Sequence, residues 1–478
     1  RGATEPDGGA GPRMRPLTLL PFIVLLTGCG NLTRSDYQRP LLSVPESWQR
    51  TEGQSNALPP EKAPRWWDRF GDQRLSRVVD QVLESNNDLA AAALTLKQAR
   101  LSAGLTQTNI SPDATLSGTG SNSKPLNSGG SQESYSASLS LSYELDLWGK
   151  LARIREQSEW EAIASEQDYR ATILSTIDTT AQLYWNIALL NQQMTWQAAS
   201  LDIARQTLAQ IESWQRAGKV GLLDVLQARQ TIISRQNQLL SLKQQRAISR
   251  NALALLLNRP PAQHTDESSS LDVRQHIAIA SSTPLAALAS RPDLQAAESR
   301  LRAALAGSDA ARLSFYPTLS LQGTLSAGSQ IFHQWFNDPL RTVGSSVSAP
   351  FIQWNTVQLT VEQASVKVQQ EAVNFRRTAY TALSEVDNAM EKRLNADEQR
   401  ERLLQSLQLG EQRLALTGSR YRSGAVDYQT LLNAQDTLLD VQNSLAQNQY
   451  DYLYATLQLW LAQGGINPQQ RTSQNESQ

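Results

Sequence analysis

Four stretches of the chain alternate between apolar and polar residues with a period of two. The clearest, SASLSLSYELDLW from Ser136, places four leucines and a tyrosine on one face, and serines and acids on the other. Weaker alternation begins at Ala114, Thr318 and Val343. Because successive side chains of a β-strand point to opposite faces, the pattern predicts four strands, each with one apolar and one polar face.

The segments that follow the second and fourth predicted strands have the composition of long helices. Residues 150–216 include neither Pro nor Gly, and residues 355–421 include no Pro. At about 1.5 Å per residue, each helix is expected to be about 100 Å long. The second range has apolar residues at steps of seven, four and three, the spacing of a coiled-coil seam: Val361, Val368, Ala372, Phe375, Ala379, Leu383, Val386 and Met390. Shorter helices are predicted at 75–108, 222–257, 293–312 and 425–462.

This order of elements occurs twice, and the two occurrences align in sequence. Pro112 aligns with Pro317, 205 residues later, within a long match that has no gap. Gly218 aligns with Gly424, 206 residues later. A single-residue insertion over such a length predicts an internal two-fold repeat in which each half is one structural unit.

The repeat suggests a division of the chain into six segments. We expect upstream residues and a lipoprotein signal peptide at 1–28, a lipidated N-terminal segment at 29–74 and the first repeat at 75–259. An equatorial linker at 260–292 follows, then the second repeat at 293–465 and a flexible tail at 466–478.

Four two-faced strands cannot stand alone in a membrane, because an open sheet leaves its edge amides and carbonyls unsatisfied in hydrocarbon. We therefore expect the chain to close a barrel by oligomerising. Two copies would give eight strands and an interior filled by side chains, whereas three would give twelve strands and a lumen. The serines and acids on the polar faces suit a wet lumen, which favours three copies. The predicted fold is an α+β membrane protein: a trimeric 12-stranded transmembrane β-barrel, with four strands per chain, that continues into a long periplasmic α-helical barrel.

The single cysteine, Cys29, stands at the end of an apolar run that begins after Met14. One positive charge, an apolar stretch and then small residues are typical of a secretory signal, and the stretch is too short for a permanent membrane span. Leu26 to Cys29 resemble the bacterial lipobox, so we predict covalent diacylglycerol and N-acyl lipid on Cys29. The residue after Cys29 is Gly30 and not Asp, and in this the sequence resembles lipoproteins that are sent to the outer membrane. The alternative is that Cys29 is a chance small residue at an ordinary cleavage site.

The composition and motifs give no sign of nucleic-acid binding, a metal site or catalysis. Lys and Arg number 44 against 45 Asp and Glu, so net charge does not indicate binding to nucleic acid. One cysteine cannot form an internal disulfide, and His264, His276 and His333 lie too far apart in sequence to have metal-ligand spacing. The chain has no Gly-rich phosphate loop and no G-x-S-x-G motif. We therefore predict neither an enzyme nor a metal site.

The mature chain resembles the TolC-like outer membrane factor family, specifically its NodT-type efflux lipoprotein subgroup. The motifs that carry the resemblance are the lipobox, YQRP from Tyr37, WWDRFGDQRL from Trp66, ELDLWGK from Glu144, and the paired helical tips. The resemblance implies a homotrimer in the outer membrane that docks onto a periplasmic adaptor, or membrane fusion protein. It also implies an inner-membrane pump, of the resistance-nodulation-division type.

The resemblance also assigns roles at the two helical tips. KVGLLD from Lys219 is similar to the family's V-G-L motif, where the adaptor docks, and its counterpart in the second half is AVDYQT. The candidate docking residues are Gly218, Val220, Gly221, Leu222, Asp224, Gly424 and Val426. A simpler interpretation of the glycines is that they permit the chain to reverse.

In related lipoprotein channels the second tip has an acid that narrows the closed pore, and here that position is Asn433, with Gln429 one turn earlier. Amides can hydrogen-bond one another while neutral, so we predict a gate that depends little on pH. Asp427 and Asp436 are nearby and could supply a displaced acidic ring instead.

The expected function is passive conduction of drugs or other small toxic compounds across the outer membrane. A duct for metal ions or for secreted protein remains an alternative, as does a non-conducting structural coiled coil. The coiled coil would account for the long helices but not for the four amphipathic strands.

Overall fold

A computed structural model describes residues 32–50, 65–127, 129–261, 263, 265–279 and 283–465. Cys29, the predicted signal peptide, His264 and the predicted tail lie outside the described residues. The helices are α1 (Gln73–Ser85), α2 (Asn87–Gln107), α3 (Lys150–Arg216), α4 (Leu222–Leu256), α5 (Pro284–Ser290), α6 (Pro292–Leu313), α7 (Trp354–Arg422) and α8 (Tyr428–Ala462). The strands are β1 (Asp113–Ser123), β2 (Gln132–Leu145), β3 (Thr318–Ser329) and β4 (Leu340–Ser348).

The two long helices lie where the sequence predicts them. Helix α3 spans 67 residues and α7 spans 69. None of the described helices has an apolar stretch of the length and composition that a membrane-spanning helix needs.

The prediction of one helix over 75–108 is wrong, because the chain forms α1 and α2 there. Asn86 separates them with an extended backbone. Its side-chain carbonyl accepts a hydrogen bond from the backbone N–H of Leu89 at 3.0 Å, and its amide donates to the carbonyl of Leu256 at 3.0 Å. Asparagine favours such caps over helix interiors, so α2 begins anew at this position.

The linker predicted over 260–292 contains a short helix that the sequence analysis did not predict. Helix α5 begins with Pro284 in its first turn, and the Thr283 side chain accepts a hydrogen bond from the N–H of Ala286. A capping threonine followed by proline is a sequence signal for a helix start.

The strands form one antiparallel sheet in the order β1-β2-β3-β4. Leu139 of β2 lies between Leu116 of β1 and Leu325 of β3. One position earlier, Ser138 lies opposite Ser117, and their hydroxyls are 2.8 Å apart. The leucines are exposed on one face and the hydroxyls occupy the other, which confirms the predicted two-faced strands.

The two hairpins of this sheet have the same register. Thr115 lies opposite Ser140 in the first hairpin. Ser320 and Ser346, which follow them by 205 and 206 residues, lie opposite each other in the second. The internal repeat that the sequence predicts is therefore confirmed in three dimensions, and the extra residue lies in the second hairpin.

The ELDLWGK motif makes the transition from β2 to α3. The carboxylate of Asp146 accepts hydrogen bonds from the N–H groups of Leu151 and Ala152 at 2.9 and 2.8 Å, so it caps the new helix. Gly149 has a φ of 83° at the turn, and Lys150 forms an ion pair with Glu144 at 2.6 Å. A long helix thus begins directly at the end of a strand.

The chain divides into two compact units. The sheet unit comprises the described parts of Arg1–Pro40, Gln98–Ile163 and Glu298–Asn374. The helical unit comprises those of Leu41–Lys97, Ala164–Ala297 and Phe375–Gln478. In the helical unit the largest core is aromatic: the ring of Phe70 lies 4.8 Å from both Trp185 and Trp460.

The first described residues form a strap along α6 and α3 in the sheet unit. The hydroxyl of Thr33 donates to the carbonyl of Trp148 at 2.7 Å. The buried carboxylate of Asp309 accepts from the N–H of Ser35 at 2.8 Å and from its hydroxyl at 2.5 Å. Arg302 lies over the ring of Tyr37 at 4.2 Å. The strap, here residues 33–40, is thus held at several points along its length.

Candidate functional site

The two helical tips of the helical unit reverse the chain with the same backbone geometry. Gly218 and Gly424 have φ values of 71° and 75°. The N–H of the residue after each glycine donates to a carbonyl five residues earlier, from Lys219 to Trp214 and from Ala425 to Arg420, both at 2.9 Å. This is the glycine-terminated helix end that satisfies the last carbonyls of a helix. The simpler interpretation therefore holds for these two glycines, whereas Gly221 has a φ of −83° and precedes α4 in an extended conformation.

An apolar cluster fills the space beneath both tips. Its buried members come from α3, α4, α7 and α8: Ile211, Val225, Ala228, Tyr421, Tyr428, Leu431 and Leu432. Val220 and Val426, two of the predicted docking residues, are half-buried and pack against this cluster. They therefore stabilise the tips, and only part of each side chain is open to a partner.

The first tip exposes apolar side chains that the second does not. Leu222 and Leu223 are 61% and 75% exposed. Their equivalents in the repeat are Tyr428, which is buried, and Gln429, which is polar. Gly218 and Gly221 are exposed beside the leucines. An exposed apolar group rimmed by polar residues is typical of a protein-binding surface.

Asp427 occupies the helix cap of α8, at the position equivalent to Gly221 of the first tip. Its carboxylate accepts hydrogen bonds from the N–H of Thr430 at 2.9 Å and from the Thr430 hydroxyl at 2.5 Å. The hydrogen bonds from the Thr430 hydroxyl and N–H lower the pKa of Asp427, because they stabilise the charged carboxylate. Asp427 was a predicted gate residue, and its described contacts give it a capping role.

The other candidate gate residues link α8 to α4. The side-chain amide of Gln429 donates to Asn433 at 2.8 Å and accepts from Gln227 of α4. Asp436 forms an ion pair with Arg235 of α4. The acid is therefore already paired within the chain, whereas Asn433 is exposed.

Gln227 and Arg235 were not predicted from the sequence. Both lie on α4, about 200 residues from their partners, and only the packing of α4 against α8 brings them into contact. Tyr421 was not predicted either, and its buried hydroxyl has no hydrogen-bond partner among the described residues. Burial and the nearby Asp224 raise the pKa of Tyr421 to about 12. The sequence signal for its burial was a second tyrosine, Tyr428, seven residues later on the other side of the Gly424 turn.

The remaining exposed face of α8 is polar. Exposed positions recur at helical spacing along its length, and they are Gln429, Asn433, Thr437, Asp440, Ser444, Gln447 and Asp451. The exposed face of α4 instead carries Leu226, Ile233 and Leu240 at steps of seven. Of these two helices, α8 has the face suited to water and α4 the face suited to packing against another helix.

Comparison with known proteins agrees with this arrangement. The sequence profile of the family described as "Outer membrane efflux protein" matches residues 78–259 and 284–465. The chain is 29% identical over 463 residues to the pyoverdine export outer membrane protein OpmQ of Pseudomonas putida, covering 94% of this chain and 97% of that protein. It is 30% identical over 464 residues to the cation efflux system protein CusC of Escherichia coli K12, covering 95% of this chain and 100% of that protein.

A solved structure of CusC has the same fold. It matches with a TM-score of 0.76 at 27% identity, covering 90% of this chain and 99% of that chain. The likeness therefore includes both the sheet and the long helices.

The tip geometry predicts different effects on stability for two Gly→Ala changes, one inside α7 and one in the turn that follows it. Gly424→Ala should destabilise the fold by about 1–2 kcal/mol, because its positive φ disfavours a side chain although nothing lies within 4 Å. Gly418→Ala, inside α7, should be neutral or stabilising by up to about 1 kcal/mol. Thermal unfolding of the purified variants, followed by circular dichroism, measures both. A Gly424→Ala variant as stable as Gly418→Ala would contradict the assigned turn.

Proposed function

The chain belongs to the outer membrane efflux protein family, and we propose that three copies of it form the outer-membrane channel of a tripartite efflux system. The observation that carries the proposal is the four-stranded sheet with an exposed apolar face, a hydroxyl-rich face and two unpaired edges. Such a sheet suits a position between lipid and water. The long helix α3 begins five residues after the end of β2, so the strand leads directly into the helix.

Closure of the sheet by three copies accounts for its two edges. Among the described strands, β1 and β4 each pair on one side only. Pairing β4 of one copy with β1 of the next would satisfy both edges and give a ring of twelve strands. A twelve-stranded barrel leaves a lumen, whereas an eight-stranded one is filled by side chains.

The cargo is small and passes without a dedicated binding site. The hydroxyl-rich face of the sheet is suited to contact with water, and so, in the helical unit, is the polar face of α8. The two relatives are named for cations and for pyoverdine, so cargo does not follow from family membership. We propose drugs and similar toxic compounds, with metal ions and secreted protein as outcomes of the test.

The first tip is the proposed docking surface for a periplasmic adaptor, which connects the channel to an inner-membrane pump of the resistance-nodulation-division type. Leu222 and Leu223 are the exposed apolar contacts there. The second tip, whose equivalent positions are buried or polar, is the proposed gate. The contacts between α4 and α8, through Gln227 and Arg235, would hold that gate closed.

The strap supports lipid attachment at Cys29. Thr33 is fixed to the carbonyl of Trp148, close to the end of β2. Cys29 is four residues earlier in sequence, so the chain can place it at most about 14 Å from that point. An acyl anchor there would enter the membrane surface beside the sheet, and two or more acyl chains hold a protein stably.

The test of the proposed function is conductance combined with export. Purified protein should conduct ions in a planar bilayer, and a deletion strain should become more sensitive to drugs, without change in metal tolerance or in protein secretion. Absence of conductance would favour a structural coiled coil, and a metal or secretion phenotype alone would reassign the cargo.

The two faces of β2 offer a matched control for that experiment. Leu139→Arg places a charge on the apolar face, at a cost of about 2–4 kcal/mol near the bilayer midplane, and should reduce the assembled channel in the membrane. Ser140→Arg, on the opposite face, should leave assembly intact and lower cation conductance. Equal effects of the two changes would contradict the assignment of the faces.

Lipid attachment predicts a simple labelling result. Cells given labelled palmitate should label the wild-type protein, and Cys29→Ser should carry no label because its hydroxyl cannot form the thioether. Expression of each protein is followed by immunoblot. Label retained by Cys29→Ser would show that Cys29 is not the lipid attachment site.

The gate predicts a pH response that depends on Asn433. Wild-type conductance should be nearly constant from pH 8 to pH 4, because Asn433 does not titrate. In Asn433→Asp, three charged carboxylates would repel one another at neutral pH and open the tip. As pH falls toward their pKa, about 4 or above, the acids become neutral and conductance should decline to the wild-type level.

Single-channel recording over that range measures the response. Thr437→Asp, one turn farther along the same exposed face, is the matched control and should respond less. A steep pH dependence in the wild type would refute the neutral gate.

A further inference from the structure

Trp148 connects the two repeats within the chain. Its indole packs edge-on against Tyr316 with ring centroids 5.4 Å apart, and its Nε1 donates to the carbonyl of Pro317 at 2.8 Å. Trp148 follows β2, the last strand of the first repeat, whereas Pro317 precedes β3, the first strand of the second. The contact therefore sits beside the β2·β3 pairing that joins the repeats.

The second repeat has the same tryptophan without the same contact. Trp354 follows Trp148 by 206 residues, the separation of the second strands of the two hairpins. It begins α7 after β4, and it is 70% exposed. The residues equivalent to Tyr316 and Pro317 are Ser111 and Pro112, which precede β1 and are exposed.

These two exposed sites lie at opposite edges of the sheet in one chain, because β4 and β1 are its edge strands. Resting on the three-copy channel proposed above, we infer that Trp354 of each copy docks on Ser111 and Pro112 of the next copy. The indole Nε1 would donate to the Pro112 carbonyl across the subunit boundary, as Trp148 donates to Pro317 within the chain.

The adjoining helices support the same partner. Within the chain, α3 and α6 approach closely, since a Cβ on Gly307 would meet the side chain of Gln157 at 3.1 Å. Ala306 and Ala310 of α6 are buried. Their equivalents in α2, 205 residues earlier, are Leu101 and Leu105, which are 60% and 73% exposed.

Helix α7 shows the complementary change. Leu359, Val366 and Val373 lie at steps of seven residues and are all exposed. The equivalent positions of α3 carry Arg153, Trp160 and Gln167, and all three are at least half-buried. The positions that are buried in α6 and at least half-buried in α3 are thus exposed in α2 and α7, and in α2 and α7 they carry apolar residues. A second copy that brings α7 against α2 would bury both rows.

The β2·β3 register can be applied to β4 of one copy and β1 of the next, to see whether the apolar faces of the two strands coincide. Ser140 lies opposite Thr324 within the chain, so Ser346 is expected opposite Thr119 of the next copy. Val347, on the apolar face, then falls opposite Gly118 on the same face. The faces match across the boundary without adjustment, which a register shifted by one residue would not allow.

The bilayer surface is the competing occupant for Trp354, because tryptophan is frequent at membrane interfaces. Fluorescence in vesicles with brominated lipids separates the two. If Trp354 lies at the subunit boundary, the emission that the brominated lipids quench should be equal in the wild-type channel and in Trp354→Phe, and only the unquenched emission should fall. A clear loss of quenchable emission in Trp354→Phe would assign Trp354 to lipid and overturn the inference.

Cysteine cross-linking tests the contact directly in the full chain. Ser111→Cys combined with Trp354→Cys, treated with a short bis-maleimide, should give covalent dimers and trimers on a denaturing gel. Tyr316→Cys combined with Trp148→Cys, the equivalent pair within the chain, should cross-link without forming dimers. Thr119→Cys combined with Ser346→Cys reports closure of the barrel independently.

The outcomes distinguish the tryptophan contact from the three-copy channel. Closure without a cross-link at Ser111 and Trp354 would overturn the tryptophan contact and leave the channel intact. Absence of both cross-links would contradict the three-copy channel itself. A cross-link at Ser111 and Trp354 alone would support the contact with a strand register different from the copied one.

Discussion

The unpaired edges of the four-stranded sheet constrain the whole molecule. An edge strand presents N–H and C=O groups, and in hydrocarbon no water is available to satisfy them. The exposed leucines of the apolar face point to a lipid environment, so a single sheet cannot be the finished structure. Repetition of one hairpin, within the chain and, as proposed, between copies, would satisfy these groups with a single type of contact.

The repeats differ where the proposed functions differ. Both tips use a left-handed glycine and share one apolar cluster, so their backbone geometry is alike. Yet Leu222 is exposed where its equivalent Tyr428 is buried, and Gly221 stands where Asp427 caps a helix. A duplicated scaffold thus lets one tip acquire a binding surface while the other acquires internal contacts.

Regular features could be predicted from sequence because they depend on local periodicity. The long helix over 150–216 has the predicted limits, since no Pro or Gly interrupts it. The division at Asn86 was not predicted, although its cap on Leu89 is local, and only the fold shows the second hydrogen bond, to the distant carbonyl of Leu256. The pairing of Arg235 with Asp436 and the burial of Tyr421 were missed because they depend on contacts between helices. Residues were predicted well where neighbours in sequence decide the structure, and poorly where tertiary contacts decide it.

The extra residue of the second hairpin shows where the chain tolerates an insertion. The registers of both hairpins are the same, so the added residue was absorbed without disturbing the paired strands. One residue added inside a strand would instead turn its leucines toward the hydroxyl-rich face. The loop between β3 and β4 has therefore accepted a longer chain, and a surface tag inserted there should spare the strand register if it leaves the packing of Phe332 and Trp335 against Tyr135 intact.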